Sequence, residues 1–253
     1  MIDRHHHILD RLLKAGYMRV IDLASELNVS EMTIRRDLEK LEDNGHLTRT
    51  HGGAHIITGS SDVDDIESAT LSKERDVIGQ AACSFIRSGD TVFLDAGPIS
   101  QVLASTIDNN KLVTVVTNST AVATILSDKA YIDTIVLGGT MHGSTSALTG
   151  PLSEDAIKRF KYTIAFLETD GINSDEGFTA SSLDVIPIKQ LAAQRSNQVI
   201  VLAESYKFGK DVLARFLRID EVGIIITDWK LQNKYRKILN NKNVSLHIAE
   251  KPL

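Results

Sequence analysis

Ser30, Met32, Thr33, Arg35, Arg36 and Lys40 stand close together in the chain, with Arg49 and His51 a short way on. Guanidinium forks and ammonium groups bind phosphate oxygens, and arginine also reads a guanine edge through two parallel hydrogen bonds. What decides whether such groups act together is the element that carries them. Read as a helix, Glu31 to Leu41 puts Ile34, Leu38 and Leu41 on one apolar stripe. At about 100° per residue, Met32 and Arg36 point almost opposite that stripe, flanked by Thr33, Arg35, Glu39 and Lys40. Ser30 is a natural N-cap, and Glu31 places negative charge where the helix dipole favours it. One face can bury while the other presents hydroxyl, thioether and guanidinium groups, as a helix lying in a DNA major groove requires. An Arg-Arg pair on a lone amphipathic helix is more often a solvated face, so the neighbouring elements carry the argument.

Those neighbours fit. Val20, Leu23, Ala24 and Leu27 form a short apolar stripe, and Asn28-Val29-Ser30 is a tight break. A short helix, a turn and a second, basic-faced helix make a helix-turn-helix. Gly45 stops the second helix. Leu47 to Thr50 and Ala54 to Ile57 flank His51-Gly52-Gly53, which reads as a hairpin wing with Arg49 and His51 placed to touch a DNA backbone. Asp3 to Ala15 reads as a preceding helix ended by Gly16, with Ile8, Leu9, Leu12 and Leu13 inward. His5, His6 and His7 are adjacent, so on a helix they diverge and cannot converge on one metal ion.

The run from Ser30 to Leu38, followed by Arg49-Thr50-His51-Gly52-Gly53-Ala54, resembles the amino-terminal signature of the DeoR family of bacterial transcriptional regulators. The resemblance implies a winged helix-turn-helix that binds double-stranded operator DNA.

The 253 residues leave room for two domains, and 42% apolar with 24% charged residues fits a globular chain. No apolar run is long enough to span a bilayer, and Met1 to Ala15 is charged and His-rich, unlike a secretion signal, so a cytoplasmic protein with no membrane partner is expected. The lone Cys83 allows no internal disulfide and falls in an apolar helical pattern, which suits a buried structural thiol. The net charge of -5 does not advertise nucleic acid, and residues 1–58 carry 8 Lys+Arg against 9 Asp+Glu. The basic groups are arranged rather than abundant, so modest affinity per subunit and binding as a dimer or tetramer are expected.

Gly59 to Asp65 is polar and acidic and reads as a linker, giving expected domains at 1–58 and 71–253 with 59–70 between them. From Leu71 a helical pattern returns. Short apolar runs then alternate with helices, at Thr91–Leu94, Leu112–Val116, Ile132–Leu137, Tyr162–Leu167, Val199–Ala203, Val222–Thr227 and Val244–Ile248. The expected fold class is therefore α/β, a mostly parallel, doubly wound sheet covered on both faces. Small and polar residues fall at the strand carboxyl ends, where open α/β sheets bind ligands.

Asp95-Ala96-Gly97, Thr117-Asn118-Ser119, Gly138-Gly139, Gly150-Pro151, Asp170-Gly171, Gly177-Phe178-Thr179, Lys189 and Lys207-Phe208-Gly209 are similar in order and spacing to the DeoR-family sensor domain. The resemblance implies a fold like ribose-5-phosphate isomerase and a phosphorylated sugar or related metabolite as effector. It implies an effector site built from Asp95, Gly97, Ser100, Asn118, Gly138, Glu168, Asp170, Lys189 and Lys207, with no cofactor, no metal and no catalytic residues. Amides after Asp95 at a helix N-terminus would hold an anion, Lys189 and Lys207 would face it as point charges, and Asp95 and Asp170 would accept from sugar hydroxyls. The chain departs from the family in four places. Pro98 and Ile99 replace threonines, Glu168-Thr169 replaces Gly-Ala, Val185 replaces a glutamate, and Pro187 interrupts the segment leading to Lys189. Two functions follow: a ligand-responsive repressor of a carbohydrate-utilisation operon, or an isomerase-like enzyme with a DNA-binding domain. The second needs a positioned general base, for which Glu168 or Asp170 is available but no acid/base pair of distinctive spacing appears.

Overall fold

In the computed structural model the described residues are 4–5, 7–8, 11–12, 17–43, 47–50, 52–56, 73–141, 146–242 and 244–252. The chain divides into two compact units, Met1–Ser72 and Lys73–Leu253. His51 and residues 57–72, including the expected linker, lie outside the described residues.

In the first unit, helix α1 (Val20–Glu26) and helix α2 (Glu31–Asp43) are joined by a turn in which Asn28 adopts the left-handed conformation (φ 52°). Asparagine tolerates that region better than most residues. Ser30 caps α2, its Oγ accepting from Thr33 N at 3.2 Å. Ile8, Leu12, Val20, Leu23, Ile34, Leu38, Leu41, Leu47 and Ala54 form one core. The hairpin is present as β2 (Leu47–Arg49) and β3 (Gly53–Ile56). Sequence reading missed a third strand, β1 (Tyr17–Arg19), which pairs antiparallel with β3 and makes the order β1-β3-β2.

The second unit opens with a helix over residues 73–83, here α3. Seven strands follow in one sheet, parallel throughout: β4 (Thr91–Leu94), β5 (Val113–Thr117), β6 (Ile132–Val136), β9 (Tyr162–Glu168), β12 (Ser196–Leu202), β14 (Ile224–Thr227) and β15 (Ser245–Ile248). Their order is β15-β14-β12-β9-β4-β5-β6. Alternate residues of one strand fall in two different cores. Phe93, Ala165, Leu167, Val199, Val201 and Ile225 pack on one face. Val92, Leu94, Ile164, Phe166, Ile200, Leu202 and Ile226 pack on the other. That is why these runs carry no polar alternation. Cys83 is buried in the second core, its Sγ 3.5 Å from the Thr106 carbonyl.

Helix α4 (Pro98–Thr106) follows β4, α5 (Thr120–Leu126) follows β5, α6 (Pro151–Ile157) precedes β9, α7 (Ile186–Gln194) precedes β12, and α8 (Asn233–Asn240) precedes β15. The chain winds from β4 outward to β6, then returns to β9 on the other side of β4 and winds outward to β15. The carboxyl ends of β4 and β9 therefore flank the point where winding reverses, the place at which such sheets open a crevice. Contrary to the expectation from sequence, Pro187 does not interrupt the approach to Lys189. It sits in the first turn of α7, where its missing N–H costs no helical bond. Two antiparallel additions also escaped the sequence reading: the ribbon β7 (Thr140–Met141) with β8 (Leu148–Thr149), and the small sheet of β10 (Gly171–Asn173), β11 (Gly177–Ala180) and β13 (Ala214–Leu217). Each has strands of two to four residues, too short for a periodic signal.

Candidate functional site

Helix α2 is sided as its sequence implies. Ile34, Asp37, Leu38 and Leu41 are buried, while Glu31, Met32, Arg35, Arg36, Glu39 and Lys40 are exposed. Met32, a large apolar side chain, stands 61% exposed. Asp37 is the departure, a carboxylate on the buried face. It is paired with Arg4 (Nε to Oδ2, 2.6 Å) and hydrogen-bonded to His5 (Nε2 to Oδ1, 3.0 Å), so this histidine serves packing. Burial pushes the Asp37 carboxyl up, and its bonds to Arg4 and His5 outweigh that and hold it below its ordinary range. Arg35 reaches Glu31 at 3.4 Å.

Arg49 of the wing, expected to touch a DNA backbone, is exposed and pairs with Glu42 of α2. Its Nε lies 2.5 Å from Glu42 Oε2 and its amide donates to Glu42 Oε1 at 2.8 Å, so it ties the wing to α2. Arg36 and Lys40 are exposed cations of α2 with no carboxylate partner among the described residues. Arg36→Ala should therefore weaken operator binding by about 1–3 kcal/mol if the guanidinium reads a guanine, with specificity lost at one base pair. Fluorescence anisotropy on operator and scrambled duplexes measures this. Equal loss on both, with a flatter salt dependence, assigns Arg36 to phosphate, and no loss on either removes α2 from the groove.

In the second unit four acids end four neighbouring strands: Asp228 after β14, Glu204 after β12, Glu168 at the end of β9 and Asp95 after β4. All four are buried. Asp95 Oδ1 accepts from Ala96 N (2.9 Å), and Oδ2 accepts from Glu168 N (3.0 Å) and from Lys189 Nζ. Lys189 also donates to the Glu168 carbonyl at 2.7 Å and lies 5.2 Å from the Phe216 ring centroid. Glu168 Oε1 accepts from Ser100 N at 2.7 Å, in the first turn of α4. Glu204 takes Arg75 Nε on Oε1 at 2.8 Å and Lys207 Nζ beside Oε2 at 2.7 Å. Asp228 accepts from Ser205 N (2.6 Å) and Lys230 N (2.8 Å), and Lys230 Nζ pairs with Glu74.

In this arrangement the two lysines expected to serve an effector are already engaged. Lys189 and Lys207 do not stand as unattached point charges before the amides following Asp95; each is bound to a buried carboxylate. The helix N-terminus expected to receive an anion is already occupied by the carboxyl group of Glu168. Gly97 is a glycine because of it, since a Cβ there would lie 2.4 Å from the Glu168 carboxyl group. Burial pushes the Glu168 carboxyl up to about 7; Lys207 and the Ser100 amide oppose the shift, and Glu204 and Asp95 add to it.

The remaining expected residues divide. Asn118 is buried after β5, its Nδ2 donating to Leu148 O at 3.4 Å, with Oδ1 unpartnered. Ser100 Oγ is likewise buried and unpartnered. The Gly138 carbonyl accepts from Ser153 Oγ. Asp170 accepts the amide and hydroxyl of Ser181 at 2.7 Å each; burial pushes its carboxyl up, but these bonds, with Lys189 and Lys207 nearby, outweigh it and hold the carboxyl below the ordinary range. Arg75, Glu204 and Asp228 were missed. Glu204 and Asp228 stand directly past apolar strands, a position that could have flagged them, whereas nothing local marks Arg75. Among the described residues no cluster of His, Cys, Asp and Glu has metal-binding geometry, and no helix is long and apolar enough to cross a membrane.

A helix-turn-helix unit joined to a doubly wound unit with buried polar groups gathered at its strand ends defines a class, the DNA-binding regulator with a sensor domain. Comparison with known proteins gives the family. The DeoR-like helix-turn-helix domain matches residues 4–60 and the DeoR C terminal sensor domain matches residues 71–229. The lactose phosphotransferase system repressor of Lactococcus lactis subsp. lactis is 34% identical over 230 residues, 89% of this chain and 90% of that protein. The HTH-type transcriptional regulator FruR of Bacillus subtilis (strain 168) is 33% identical over 228 residues, again 89% of this chain and 90% of that protein. Ribose 5-phosphate isomerase A from Methanocaldococcus jannaschii superposes with a TM-score of 0.40 at 13% identity, covering 56% of this chain and 55% of that one. The chain belongs to the DeoR family of transcriptional regulators.

Proposed function

We propose that the chain represses a carbohydrate-utilisation operon in the cytoplasm, binding double-stranded operator DNA as a dimer or tetramer and releasing it on binding a phosphorylated sugar or related metabolite. Residues 1–58 act as the DNA module, 59–70 as linker and 71–253 as sensor and oligomerisation module. The reading rests above all on the strand-end site, where buried polar groups converge at the reversal of sheet winding in a family whose relatives include a lactose phosphotransferase system repressor. It needs no metal, no cofactor and no turnover. In support of sensing over catalysis, Asp95, Glu204 and Asp228 are each held by internal donors, so three of the four strand-end acids are not poised as a base. The test is operator release, followed by anisotropy, against a panel of free and phosphorylated aldoses, ketoses and polyols, with each compound analysed afterwards. Release with the compound unchanged supports the repressor. Isomerised compound without release supports the enzyme instead.

A further inference from the structure

Glu168 occupies the place at which helix α4 would otherwise meet a ligand anion. Its main chain is fixed on both sides, by Asp95 on its amide and Lys189 on its carbonyl. Its carboxylate takes the Ser100 amide and presses on Gly97, so no second anion fits at this helix start while it is there. Pro98, in the same turn, has no amide to offer. The charge inventory points the same way. Lys189 is matched by Asp95, and Lys207 and Arg75 share Glu204, so the three cations at this end are balanced once Glu168 is counted, and none of them stands without a carboxylate among the described residues. A phosphate dianion only accepts, whereas among the described residues the buried side-chain atoms left unpartnered at this end are acceptors or hydroxyls, all of which a ligand hydroxyl can satisfy. Glu168 accepts, and Asn118 Oδ1 is a fully buried acceptor with no partner among the described residues, its orientation set by the bond from Nδ2 to Leu148 O. Ser100 Oγ, also buried without a partner in the first turn of α4, can accept or donate. A buried acceptor left unmatched costs free energy that a ligand hydroxyl recovers.

We propose that Glu168 is the specificity-determining residue of the strand-end site: its carboxylate closes the α4 N-terminus to phosphate and gives that end of the site to the hydroxyls of a polyhydroxylated ligand. The inference rests on the reading of this site as the effector site. A phosphate carried elsewhere on the ligand is compatible with it; a phosphate seated on α4 is not.

Inorganic phosphate is the probe, titrated calorimetrically into the full-length protein at pH 8, where Glu168 is ionised. The wild type should bind it no more than marginally. Glu168→Gly, which empties the cradle and restores the Ser100 amide, should bind it at least tenfold tighter. Glu168→Gln removes the charge while keeping the volume, should show part of that gain, and serves if the glycine variant does not fold. Wild-type affinity equal to that of the glycine variant, or no gain in whichever variant folds, overturns the proposal. Operator release is scored separately. If sugar compounds release the operator while phosphate binding is unchanged by substitution, the inference falls and the functional reading stands. If nothing releases the operator, the functional reading falls, whatever phosphate does.

Discussion

Glu204→Ala should cost the sensor unit about 3–5 kcal/mol, the usual penalty for removing one member of a buried ion pair. The reason is the company Glu204 keeps. It is fully buried, and its two oxygens serve Arg75 and Lys207, both cations that retain little contact with water. Alanine would leave two desolvated positive charges facing each other with nothing between them. Urea unfolding followed by circular dichroism measures the loss, and a change below about 1 kcal/mol, the range of exposed pairs, would mean that the triad is not formed in solution. Acid should reproduce part of the effect. Burial pushes the Glu204 carboxyl up, but Lys207 and Arg75 outweigh it and hold it below its ordinary value of 4.5. A depressed carboxyl contributes stability that is present above the unfolded value and lost as pH falls through the folded one. The difference between wild type and Glu204→Gln should therefore shrink below about pH 4.5.

The second large effect concerns Lys189. Lys189→Met should destabilise the sensor unit by about 3–5 kcal/mol as well, because Asp95 would remain buried with a charge that only two amides share. Loss of the effector response in this variant would then follow from a weakened fold and would say nothing of a contact between Lys189 and ligand. The double variant Asp95→Asn/Lys189→Met separates the two. With both charges gone the penalty should fall to roughly 1–2 kcal/mol, since removing a buried pair together is far milder than orphaning one partner. A double variant as unstable as the sum of the singles would show that the pair is not coupled.

Much of this molecule is legible in its residues. The apolar runs from Thr91 to Ile248 are continuous because the sheet is covered on both faces, and their alternation with helical stretches fixes parallel pairing. The α2 stripe of Ile34, Leu38 and Leu41 and the Ser30 cap are local features, so local reading finds them. Long-range partnerships are not local. That Arg49 meets Glu42, Arg4 meets Asp37 and Arg75 meets Glu204 depends on elements brought together by the whole fold. The candidate ligand site shows the same division. Asp95, Glu168 and Lys189 can be named from their places at strand ends and helix starts, but charge states and pairings cannot. A lysine that would serve a ligand and one that serves a neighbouring aspartate look identical until the aspartate's position is known.

Glu74 and Arg75, in the first turn of α3, grip Lys230 and Glu204 at the carboxyl end of the sheet. They are also the second and third residues of the compact unit Lys73–Leu253. The start of that unit is therefore held at the carboxyl end of the sheet. Two ion pairs hold it there, with the hydrophobic cores behind them. The first turn of the unit is thus fastened at the strand-end acids, and its anchorage is as firm as the protonation and pairing of Glu204 allow.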